Sequence, residues 1–106
     1  MRILFDQGTP APLRRALAGH AAATVYEIGW SSLANGDLLR EADSKYELLI
    51  TTDQNLQYQQ NLAGRRLAIL VQPTTSWPQL RPHAQEIAAA ALLMSPGEYR
   101  EFTLPA

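Results

Sequence analysis

Three aspartates in this sequence are placed to do chemistry together. Asp6 closes the apolar run Arg2-Ile3-Leu4-Phe5, Asp53 closes Leu48-Leu49-Ile50-Thr51-Thr52, and Asp37 opens the segment leading into that second run. In an open parallel sheet, sites form beyond the carboxyl ends of the strands, where loops and helix starts converge. Carboxylates gathered in one crevice repel at neutral pH, and a divalent cation makes such a cluster tolerable. Ligation by oxygen alone points to Mg²⁺ or Mn²⁺ rather than zinc. Two of these acids also have a plainer role open to them. Asp37 and Asp53 are good helix N-caps, whereas Thr9 is the better-placed cap for the helix after Asp6. Glu41, one turn beyond Asp37 on the same helical face, is an alternative second acid. Asn55 either offers a carbonyl oxygen as a further ligand or stands exposed in a polar first turn.

Elements that would position these residues follow from the pattern of apolar runs and breakers. Arg2 to Phe5 reads as a buried strand stopped by Asp6, Gly8 and Pro10. Leu13, Ala16 and Leu17 recur at helical spacing up to Gly19, behind Thr9 and the early prolines. Ala23 to Ile28 reads as a second strand closed by Gly29, with a loop from Trp30 to Gly36. A helix opened by Asp37 carries Leu38, Leu39, Ala42 and Tyr46 on one face. Leu48 to Thr52 is the third strand, and Leu56, Tyr58 and Leu62 mark a Gln/Asn-rich helix. Leu67 to Val71 is the fourth strand. Residues 72–78 form a Pro/Thr/Ser loop, Leu80 to Met94 an Ala-rich helix, and Glu98 to Leu104 a half-exposed edge strand. Short strands alternating with helices predict an α/β fold: a mainly parallel sheet of four to five strands in a three-layer α/β/α arrangement.

Composition narrows the chemistry further. At 106 residues, with 46% hydrophobic and 18% charged residues, the chain has the size and make-up of one globular domain, residues 1–106. Its net charge of -1 excludes a polybasic nucleic-acid coater, so any nucleic-acid contact must come from local arginines. The absence of cysteine removes thiolate nucleophiles, disulfides, iron–sulfur clusters and Cys-based zinc sites, and fits a cytoplasmic protein. No apolar stretch reaches the roughly 20 residues of a bilayer span, and the N-terminus turns polar too early for a secretion signal. No G-x-S-x-G elbow, Gly-rich phosphate loop or H-E-x-x-H helix is present. His20, after a helix-ending Gly, is expected to meet that helix's C-terminus, and His83 has no partners suggesting a triad. Trp77 and Pro78 are expected to anchor the last helix.

Taken in order, the segments ILFDQGTP, LAGHAAATV, NGDLLREA and LLITTDQNL resemble the small bacterial PIN-like domains, relatives of the PIN ribonucleases that form the toxin halves of toxin–antitoxin pairs. The resemblance spans roughly residues 1 to 75. It implies a Mg²⁺- or Mn²⁺-dependent ribonuclease, with Asp6, Asp37 and Asp53 as catalytic metal ligands and Asn55 at the fourth polar position. An antitoxin protein is the implied partner, and a homodimer is a further arrangement. Metal-bound water and charge neutralisation at phosphate are what phosphodiester hydrolysis needs. Single-stranded RNA would need positive charge and a stacking surface beside the acids. Arg14, Arg15 and Trp30 are the candidates, with Arg65-Arg66 a second basic pair, against the plainer reading of both pairs as solvated surface charge.

The chain departs from the family pattern at Gln7 and Gly8, where an acid and an amide are usual, at Thr52, where a basic residue is common, and at Asn55, where a second Asp is common. These departures carry an alternative: a catalytically weakened PIN-like module that binds protein or RNA. A phosphoacceptor signalling domain shares the layout of strand-end acids. It wants adjacent acids after strand one and a Lys after a late strand, and the single lysine here is Lys45.

Overall fold

The computed structural model describes residues 1–59 and 62–104, together with the backbone but not the side chains of residues 58 and 59. Strands β1 (Arg2–Phe5), β2 (Ala21–Thr24), β3 (Leu48–Thr51), β4 (Ala68–Val71) and β5 (Tyr99–Glu101) form one sheet in the order β2-β1-β3-β4-β5. Every neighbouring pair is parallel, with Leu4 opposite Leu49 and Leu49 opposite Ile69 in register. β1, β3 and β4 are apolar almost throughout, as strands covered on both faces must be.

Side chains alternate between two cores. Ile3, Phe5, Leu48, Ile50 and Leu70 face one side, against Leu13 and Leu17 of a 3-10 helix (Ala11–Leu17) and Ile87, Ala88 and Ala91 of a later helix. Leu4, Leu49, Ile69 and Val71 face the other, against Leu38, Leu39 and Ala42 of α1 (Asn35–Lys45) and Leu56 of α2 (Leu56–Gln59). The result is the three-layer α/β/α arrangement, with all five strands parallel. Among the described residues no helix is long and apolar enough to cross a membrane.

Several element boundaries differ from the sequence expectation, each for a local reason. The second strand is Ala21–Thr24, not Ala23 to Ile28. Thr24 N–H donates to Glu27 Oε1 at 2.8 Å and Glu27 N–H donates to Thr24 Oγ1 at 3.2 Å, and these reciprocal bonds turn the chain out of the sheet. Thr9 does not cap the first helix, whose N-cap is Pro10. Its hydroxyl donates instead to the Ile50 carbonyl at 2.8 Å, tying the loop after β1 to β3. α1 starts at Asn35, so Asp37 sits in its first turn rather than capping it, where negative charge is still favourable.

The expected helix from Leu80 to Met94 is three pieces: α3 (Trp77–Leu80), a 3-10 turn (Arg81–His83) and α4 (Ala84–Leu92). Pro82 lacks the N–H a continuous helix needs. Trp77 packs on the core at the start of α3, the anchoring role expected of it. His20 meets the end of the first helix through its backbone, its N–H donating to the Leu17 carbonyl at 3.1 Å, while its Nδ1 lies 3.3 Å from the Met1 amine. The predicted Gln/Asn-rich helix is seen as Leu56–Gln59; residues 60 and 61, which belong to that expectation, lie outside the described residues.

Candidate functional site

With β2 and β3 on opposite sides of β1, the strand order reverses between β1 and β3. In doubly wound sheets a crevice opens at that switch point, outside the carboxyl ends of the strands. Asp6 follows β1 and Asp53 follows β3, so the two carboxylates meet there. One side chain links them. Thr51, fully buried as the last residue of β3, donates its hydroxyl to Asp6 Oδ2 at 2.9 Å, and its own Oγ1 accepts the Asp53 backbone N–H at 3.1 Å.

The remaining carboxylate oxygens are also held. Asp6 Oδ1 accepts the Gln7 N–H at 2.8 Å, and Asp53 Oδ1 accepts the Asn55 N–H at 3.0 Å. Asn35, the first residue of α1, donates its amide to Asp53 Oδ2 at 3.2 Å. Each oxygen thus receives one donor, which orients both groups and leaves acceptor capacity on each. Burial pushes the Asp6 carboxyl above its usual 3.8; the bonds from Thr51 and Gln7 oppose this, and the nearby Asp53 charge adds to it.

The sequence-predicted residues divide into two sets. Asp6 and Asp53 come together. Asn55 contributes its backbone N–H to the Asp53 carboxylate, and its side chain is exposed. Asp37 forms an ion pair with Arg40 at 3.1 Å, with its side chain 55% exposed, and Glu41 pairs with Lys45 at 3.4 Å. Among the described residues, no three acidic or histidine side chains gather as a metal-holding group. Two residues the sequence reading passed over belong to the site: Thr51 and Asn35. An NGD segment opening a helix ahead of the aliphatic strand was the available signal for Asn35, and a hydroxyl two residues before the strand-end acid the signal for Thr51.

The candidate nucleic-acid residues make contacts of their own. Arg14 is held by both carboxylate oxygens of Glu27, a bond that draws the Glu27 carboxyl below its usual range. Exposed Arg15 lines a shallow cleft with Arg14, Thr24 and Glu27, beside the end of β2. Trp30 is held by Tyr46, edge to face at 6.0 Å, and by the Lys45 ammonium 5.3 Å from its ring centre. Lys45 and Tyr46 lie at the far end of α1 from Asn35, about 15 Å along the helix axis. The Trp30 backbone is tied nearer the end of β1: its N–H donates to the Val25 carbonyl at 2.8 Å, and the Val25 N–H donates to the Phe5 carbonyl at 3.0 Å.

The carboxyl ends of β1 and β3 thus carry two oriented carboxylates with an amide side chain beside them, hard oxygen donors of the type a hard cation takes. Compared with known proteins, the chain matches no family model, no curated protein and no solved structure.

Proposed function

We propose that this crevice is a Mg²⁺ or Mn²⁺ site for phosphodiester hydrolysis, with RNA as the substrate, in a PIN-like domain. The observation that carries the reading is the Asp6–Asp53 pair held on one Thr51 hydroxyl at the switch point of the sheet. One or two protein carboxylates suffice for Mg²⁺ when waters and substrate phosphate complete the shell. When bound, such an ion supplies a water of lowered pKa and a positive charge opposite the phosphate. The chain's own part is to hold Asp6 and Asp53 as ligands. Thr51 holds the Asp6 carboxylate and the Asp53 backbone, and Asn35 and the Asn55 N–H fix the Asp53 carboxylate. Relief of the mutual repulsion of the two acids favours the cation further. Exposed Arg15 is the closest match to a phosphate contact, since Arg14 is engaged by Glu27. An inhibitory protein partner and a cytoplasmic setting belong to the same reading.

A second reading is favoured by one observation. Asp37 is paired with Arg40 and exposed, which leaves two acids where three were expected. In that reading the chain is a catalytically weakened PIN-like module that binds RNA or protein, in keeping with Gln7, Gly8 and Asn55.

Calorimetric titration with Mn²⁺, followed by incubation with a single-stranded RNA oligomer, separates the two. Saturable binding lost in Asp53→Asn, with RNA cleavage that needs the ion, supports the nuclease. Binding without cleavage favours the weakened module, and no binding by the wild type overturns the metal site itself.

A further inference from the structure

At the opposite end of the sheet lies a cavity of about 370 Å³, at the size where small-molecule sites begin. It is bounded by the first residues of β1, β3 and β4, which are Arg2, Leu48 and Ala68, and by the end of the α4 layer at Ala91 and Met94. A four-residue strand separates the two edges by roughly 13 Å, so this cavity is distinct from the acid pair. Its origin is readable in side-chain size. Ala68 of β4 and Ala91 of α4 both line it, and two methyl groups leave space that larger residues would fill. Met94, nearly buried, adds an adaptable apolar wall.

Charge at the lip is uneven. Asp43 and Glu47 line the cavity, but each already accepts backbone donors: Asp43 Oδ1 takes the Arg66 and Leu67 N–H groups at 2.8 Å, and Glu47 Oε1 takes the Arg2 N–H at 3.0 Å. Arg2 and Arg66 line it too, and among the described residues neither guanidinium has a carboxylate partner. The Arg2 guanidinium lies 5.1 Å from the centre of the Tyr46 ring, a contact that fixes the group while leaving its N–H fork unpaired. Two unpaired guanidinium groups over an apolar floor suit an anionic head on an apolar body.

We propose that this cavity binds a small organic anion, an apolar body bearing one carboxylate or phosphate, with Arg2 and Arg66 receiving the charge and Ala68, Ala91 and Met94 the body.

The test is an amide chemical-shift titration of the full chain with 4-phenylbutyrate and with phenyl phosphate, using neutral 4-phenylbutanamide as control. Saturable shifts at residues 45–48, 66–68 and 94–96, with those near Asp6 and Asp53 unmoved, are expected for at least one anion; which one binds identifies the head group. The neutral amide is expected to bind several-fold more weakly. Arg2→Gln and Arg66→Gln, both at exposed positions, should each weaken the anion about threefold to fivefold with the rest of the spectrum unchanged. Absence of saturable shifts with either anion, equal binding of the neutral amide, or unaltered affinity in both arginine variants would overturn the proposal.

Discussion

The buried Thr51 hydroxyl donates to the Asp6 carboxylate at 2.9 Å, across the junction of the third strand with the first. The near-isosteric change Thr51→Val removes that donor and leaves a partly buried carboxylate with one fewer bond. The expected loss is about 1–3 kcal/mol of stability, read by denaturant unfolding. It should also push the Asp6 carboxyl further up, since the Thr51 bond is the largest influence holding it down. Thr51→Ser keeps the donor and should restore the Asp6 titration, followed by carbon-detected NMR.

Asp6 itself makes stability depend on pH in a definite sense. Its folded carboxyl is raised above the ordinary 3.8, chiefly by burial, so the native state holds its proton more tightly than the unfolded chain. Its contribution is complete below the unfolded value and is lost as pH rises through the folded one. Asp6→Asn removes that loss. Its melting temperature should exceed the wild type's at pH 7, and the advantage should shrink towards pH 3. A variant less stable at pH 7 than at pH 3, relative to wild type, would contradict burial as the dominant cause.

Metal affinity should separate the three aspartates. Asp6→Asn and Asp53→Asn are each expected to weaken Mn²⁺ binding at least roughly tenfold by calorimetry. Asp37→Asn, which releases an exposed ion pair with Arg40, should change it by less than about threefold. Equal losses at all three would place Asp37 among the ligands after all.

Gly8 occupies the left-handed region, with φ of 95°, and a Cβ there would sit 2.6 Å from Thr52 Oγ1. Backbone strain of this kind costs on the order of 1–3 kcal/mol, so Gly8→Ala should lower stability by about that much in thermal unfolding. Because Gly8 closes the turn that presents Asp6, the same change is expected to weaken Mn²⁺ binding alongside stability.

Arg14 holds Glu27 with both terminal nitrogens, and this is the largest of the influences that lower the Glu27 carboxyl. Arg14→Gln should return that carboxyl towards its usual range in an NMR titration. RNA affinity should fall more in Arg15→Gln than in Arg14→Gln, because only the exposed arginine has its charge free to offer phosphate.

What could be read from the sequence follows how locally each feature is determined. β1, β3 and β4 are apolar runs between hard stops, so their positions, and the acids that follow β1 and β3, needed no tertiary information. β2 is different: Ala21–Thr24 has small side chains at a sheet edge, and its end depends on the exchange of bonds between Thr24 and Glu27. Pro82 was in plain view, yet the alanines beyond it outweighed it in the reading of a single long helix. Asp37 was legible as an acid in the first turn of a helix that starts near Asp53. The residue that reaches Asp53 is Asn35, two positions earlier, and only the true helix start makes that visible. The cavity lined by Ala68 and Ala91 has no linear signature at all, since these two small residues are distant in sequence.

The strand order also bears on how the chain assembles. Once β1 and β2 are paired, β3 adds beside β1, β4 beside β3 and β5 beside β4, so no later strand has to open an existing pair. A nascent chain emerging N-terminus first can lengthen one free edge in the order of its own translation. Asp6 waits in that process for Thr51, so the acid pair is completed only when the third strand has joined the first.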